Sequence, residues 1–202
     1  MGLNISGIVI NKNYNNNLSE IETILGQKLV FEKEVIFEEA LENWKEDSYC
    51  DIYFSKKGTF ILLSMEIGGF DFYAKDQVAF SFVLSEMTMM FCVNYTQNDE
   101  LKRSIMESEE LNEDSGEPFE FEKSEEDKSS LIYHLIENTL GESFYDIDLE
   151  AKCFRYKFQE IVQEESTLSD VENNVISKEE NSIKNDNERS EITTKPWWKF
   201  WQ

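Results

Sequence analysis

One histidine, three cysteines and two prolines in 202 residues leave little material for several common chemistries. His134 is the sole imidazole, so Ser-His and Cys-His nucleophile systems have one candidate base between them. Beside the apolar stripe of a helical stretch, about a turn from Leu131 and Asn138, it reads as a structural residue. Cys50, Cys92 and Cys153 are odd in number, widely spaced and free of any C-x-x-C pair. That removes the usual zinc and redox spellings and fits small buried hydrophobes in a reducing cytoplasm. Gly68-Gly69 is isolated, so neither common glycine-rich phosphate loop is present.

Positive charge is scarce as well. Nineteen Lys and Arg stand against 42 Asp and Glu, a net charge of −23. Nucleic-acid binding relies on clustered cations that displace counterions, and an anionic membrane surface repels such a chain, so both are excluded as partners of the domain. A basic protein is the partner class this balance favours, because opposite charge speeds and steers encounter. No run is long and apolar enough for a transmembrane helix: the least polar stretch, 77–98, carries Glu86 at its centre with Ser and Thr around it. No secretory leader precedes the first apolar run, and the Asn, Lys and Ile usage suits an AT-rich bacterial genome.

What is present is aromatic and patterned. Fifteen Phe give a core of useful size, since each aromatic buries roughly 150 to 250 Å². In the stretch 77–98, Val78, Phe80, Phe82 and Leu84 alternate with Ala79, Ser81, Val83 and Ser85, a period of two with one large-residue face and one small-residue face. This predicts a central buried strand, with a second strand over 88–96 returning against 101–106. Strands are also predicted at 2–10, 28–36 and 153–158, the second with Leu29, Phe31 and Val35 inward. A hairpin is predicted over 49–65 around Lys56-Lys57-Gly58. Helices are predicted at 19–25, opened by a Ser19-x-x-Glu22 capping box and stopped by Gly26, at 37–45 and at 127–140. The fold class is therefore α+β: a largely antiparallel sheet of about six or seven strands with two to three helices on one face.

Composition divides the chain into a domain over 1–158, a disordered acidic linker over 159–194 and an aromatic-basic peptide over 195–202. Inside the domain, 107–127 holds eleven acids and one Lys and reads as a long exposed loop. Its Glu107, Glu109, Glu110, Glu113, Asp114, Glu117, Glu120 and Glu122 are the candidate partner-binding residues. The terminal peptide packs three of the four Trp into five positions, and Trp197, Trp198, Phe200 and Trp201 are candidate docking residues. Packing onto the domain and a lesser, interfacial membrane contact are the alternatives for that peptide. Asp146, Asp148 and Glu150 could share one face of a strand, but lack the glycine and the glutamate of a calcium loop. No metal, cofactor or catalytic set is assigned. The expected function is a cytoplasmic, non-enzymatic protein-binding module of the immunity or inhibitor kind, neutralising a basic toxin or nuclease. An adaptor working through the terminal peptide is the first alternative, and a carboxylate-based enzyme the second.

Overall fold

The structure is a computed structural model that describes residues 3–42, 45–123 and 127–159. Its elements run β1 (Asn4–Ile10), α1 (Leu18–Leu25), β2 (Lys28–Ile36), α2 (Phe37–Ala40), β3 (Tyr49–Phe54), β4 (Thr59–Leu62), β5 (Val78–Ser85), β6 (Met90–Gln97), β7 (Glu100–Glu107), β8 (Asn112–Gly116), α3 (Lys128–Leu140) and β9 (Lys152–Gln159). The nine strands form one sheet in the order β2-β9-β3-β4-β1-β5-β6-β7-β8. Every pairing between neighbours is antiparallel. The fold is broadly α+β with more strands than the pattern predicts, and β8 is the one that periodicity misses.

The two faces of β5 explain the sheet. Phe80, Phe82 and Leu84 enter one core cluster with Val9, Phe60 and Val93, and α3 closes it with Leu131, Ile132, Leu135, Ile136 and Leu140. The opposite face is narrow because backbone lies directly on it. The Ser81 hydroxyl donates to the Phe70 carbonyl at 2.5 Å, Asn94 Nδ2 to the Gly69 carbonyl at 2.8 Å and Thr96 Oγ1 to the Phe72 carbonyl at 2.7 Å. A Cβ on Gly68 would collide with the Ser6 side chain and sit 2.8 Å from the Phe82 carbonyl. Small residues on β5 therefore match a covering segment that presents carbonyls needing donors.

Several expectations are corrected. The capping box does not form: Asn17 is the cap position of α1, and the Glu22 carboxylate instead accepts from Leu29 N at 3.0 Å and Lys28 Nζ at 2.7 Å. Gly26, in the left-handed region at φ 65°, does end the helix. The second helix is a single turn, since α2 stops at Ala40. The helices do not share one face: α2 and α3 bury side chains in the large cluster, whereas Ile21 and Leu25 of α1 are buried outside it. The inward set on β2 also fails. A bulge between Phe31 and Lys33 shifts the alternation, so Val35 is buried while Phe31 is 53% exposed.

Candidate acidic interface

Residues 107–123 are built into a strand and a 3-10 turn, contrary to the loop expectation for 107–127. After β7 the chain turns at Ser108, whose amide donates to the Leu111 carbonyl at 2.8 Å, and comes back as β8. β8 reads Asn-Glu-Asp-Ser-Gly, residue types that are depleted in strands, and all five are exposed. Its register against β7 is continuous from Glu107↔Asn112 to Arg103↔Gly116. Gly116 ends it at φ 87°, where a Cβ would strike the Lys102 carbonyl. Pro118 follows, and Glu120–Lys123 forms a 3-10 turn.

What holds this polar hairpin in place is Arg103, on β7 and 1% exposed. Its Nη1 donates to Asp114 Oδ1 and, at 2.8 Å, to the Ser115 carbonyl. Nη2 donates to Asp114 Oδ2 at 3.0 Å and Glu122 Oε1 at 2.5 Å, and Nε to Glu122 Oε2 at 3.2 Å. All five guanidinium donors are thereby used, across β8 on one side and the 3-10 turn on the other. Glu122 Oε2 also accepts from Phe119 N at 2.9 Å. Arg103 hydrogen bonding holds the Asp114 carboxyl below the usual carboxylate range. Burial pushes Glu122 upward, but the hydrogen bonds from Arg103 and the Phe119 amide outweigh it, so Glu122 is also lowered.

The eight predicted residues therefore fall into three groups. Asp114 and Glu122 are the internal anchors. Glu107 is half-buried, with Lys128 Nζ of α3 at 2.7 Å. Glu109, Glu110, Glu113, Glu117 and Glu120 are exposed, and none has an ion-pair partner among the described residues. Trp197, Trp198, Phe200 and Trp201 lie outside the described residues.

At the other end of the sheet is a charged centre that the sequence reading missed. Asp51, 0% exposed on β3, accepts from Arg155 Nε at 2.8 Å and Nη2 at 2.9 Å, and pairs with Lys45. Arg155 Nη1 reaches Glu39 at 3.0 Å, which Lys33 also reaches at 2.8 Å. A cavity of about 290 Å³ opens beside this network, lined by Glu32, Lys33, Glu39, Glu42, Lys45, Glu46, Tyr49 and Arg155. The available signal was an Asp inside an apolar run, facing Arg155 across the ladder.

The remaining candidates read as structural. Burial pushes the Cys50 thiol up, Cys92 to about 11 and Cys153 to about 12, the reverse of an activated nucleophile. The His134 ring stacks on Phe121 at 4.0 Å. Asp146 ends a 3-10 turn, and the Asp148 carboxylate accepts from Glu150 N at 3.0 Å, so those acids do not share a strand face. Compared with known protein families, curated proteins and solved structures, the chain finds no significant match in any of the three.

Proposed function

We propose that the protein is a binding module that presents a preorganised acidic edge to a basic protein, as an inhibitor or immunity protein would. The observation that supports it is the division of labour among the acids of 107–127: Asp114 and Glu122 spend their charge on Arg103, which leaves Glu109, Glu110, Glu113, Glu117 and Glu120 exposed on a backbone that is already ordered. Ordering completed during folding is not paid again at binding, and single-sign carboxylates accelerate encounter with a cationic surface. The module is read as a binder, not an enzyme, because its buried charges are matched and its thiols are raised. The test is capture from a lysate of the source cells on the immobilised full chain, comparing the parent with a Glu109/Glu110/Glu113/Glu117→Gln variant. One basic protein should be retained by the parent at low salt and lost both at high salt and from the variant. Identical retention by both proteins would sink the reading.

A second reading, docking through Trp197, Trp198, Phe200 and Trp201, is supported by the clustering of three Trp in five positions between Lys195 and Gln202. Deleting 195–202 should then abolish an interaction that the glutamine variant keeps.

A further inference from the structure

The two outer strands of the sheet are β2 and β8, and the backbone of β8 is open on one side among the described residues. Which groups face outward follows from the ladder. The Ser108 amide donates to the Leu111 carbonyl at 2.8 Å, and the same register pairs Glu107 with Asn112, Met106 with Glu113 and Ile105 with Asp114. In an antiparallel pair, hydrogen-bonded and non-hydrogen-bonded positions alternate. Glu113 and Ser115 therefore spend their amides and carbonyls on β7, while those of Asn112 and Asp114 point away from the sheet. No protein hydrogen bond to those outward groups occurs among the described residues.

Resting on the function proposed above, we infer that the basic partner binds by adding an extended segment to β8, with Lys or Arg across from Glu113. Charge complementarity selects this occupant. A second copy of the chain would set Glu113 and Asp114 against their own kind, and like charges on neighbouring strands repel. A neutral strand would satisfy the backbone but leave Glu110, Glu113 and Glu117 without a counter-charge. A segment of about seven residues covers the strand and its flanks, with alternate cations: one lies across from Glu113 and those nearer its ends come within reach of Glu110 and Glu117. Arg103 supports this mode directly, since its grip on Asp114 and the Ser115 carbonyl keeps β8 extended before any partner arrives.

The test uses the full chain and a blocked peptide, acetyl-Lys-Thr-Lys-Val-Lys-Thr-Lys-amide. Asn112→Pro removes one outward N–H while leaving the charge and the β7 ladder intact, and Asn112→Ala is its control. Binding should weaken by about tenfold in the proline variant and by less than about twofold in the alanine variant. Saturating peptide should also slow hydrogen exchange at the Asn112 and Asp114 amides of the unaltered protein by about tenfold or more. That second measurement holds whether or not the proline variant folds. No binding of the peptide, equal binding by the two variants, or unprotected Asn112 and Asp114 amides would overturn edge addition. Equal binding by those variants together with loss of binding in the glutamine variant would leave the acidic-surface function standing. Indifference to the glutamine changes would remove the function itself.

Discussion

The two edges of this sheet are built on opposite plans. β2 spans nine residues, carries Lys and Glu in mixture and is broken by a bulge at Glu32. Three of its four charges are matched within the chain: Lys28 with Glu22, Lys33 with Glu39 and Glu34 with Lys152, at 2.7 to 2.9 Å. It exposes Val30 and Phe31, and the Phe31 ring meets Tyr156 edge-on at 5.8 Å. β8 spans five residues, has no apolar side chain and no bulge, and carries one sign of charge. Natural sheets discourage edge pairing by bulges, charge and short strands, and each edge uses a different part of that set. The bulge and ion pairs of β2 disfavour any incoming strand, whereas the charge of β8 disfavours only strands that lack cations. Each end also has an arginine fork, with burial and sign distributed differently: at the β2 end a buried carboxylate serves two cations, and at the β8 end a buried cation serves two carboxylates.

The sharpest way to break this comparison is to remove each hub in turn. Asp51→Asn should have the largest effect, about 3 kcal/mol or more in urea unfolding, because Lys45 and Arg155 both lose a counter-charge with no exposure to water at its carboxylate. Arg103→Met should destabilise globally by less, on the order of 1 to 3 kcal/mol, since Asp114 can hydrate once released while Glu122 is left largely buried. Its local effect should be greater, with β8 amides exchanging far faster than those of β4 and β5. Equal global losses from the two variants would mean that the ends are not organised differently.

Acid provides the next test. Asp114 and Glu122 have folded values below their unfolded ones, so their contribution to stability is complete above the ordinary carboxylate range of about 4 to 4.5 and fades as pH falls through the lower folded values. Urea midpoints should therefore hold between about pH 5 and pH 7 and fall below about pH 4, and the Arg103→Met variant should show a weaker fall. A midpoint that rises on acidification would reverse the assigned sign.

A smaller effect is expected on the exposed face. The Glu109/Glu110/Glu113/Glu117→Gln variant should stay within about 1 kcal/mol of the parent, while adding Asp114→Asn should lower stability measurably, because Arg103 then loses a charged acceptor. Smallest of all, the native thiols should label slowly near neutral pH, since Cys50, Cys92 and Cys153 are buried with raised pKa values. Rapid reaction of any one with a thiol reagent would show that its layer opens.

Much of the sheet was legible because its signals are local. The large and small faces of β5, the Lys56-Lys57-Gly58 turn and the stop at Gly26 each depend on a few neighbouring residues. The apolar stripe of α3 was equally plain, with Leu131, Ile132, Leu135, Ile136 and Leu140 all buried. β8 was not legible, because nothing in Asn-Glu-Asp-Ser-Gly favours a strand. Its conformation comes from a β7 ladder and from Arg103, and on sequence alone an arginine beside acids reads as another surface charge. The phase of β2 was lost for a related reason: one extra residue inverts every later side chain, and a bulge leaves no reliable mark in composition.

By itself the sequence determined that this chain has an aromatic core, a largely antiparallel sheet and a surface of one dominant sign, since burial of apolar area and repulsion between like charges follow from composition and period alone. Which acids are internal anchors and which stand exposed without an ion pair among the described residues was decided only by the tertiary structure. A carboxylate's role depends on what stands within about 3 Å of it, and Arg103 and Asp114, eleven positions apart, or Asp51 and Arg155, 104 apart, become neighbours only when their strands are paired.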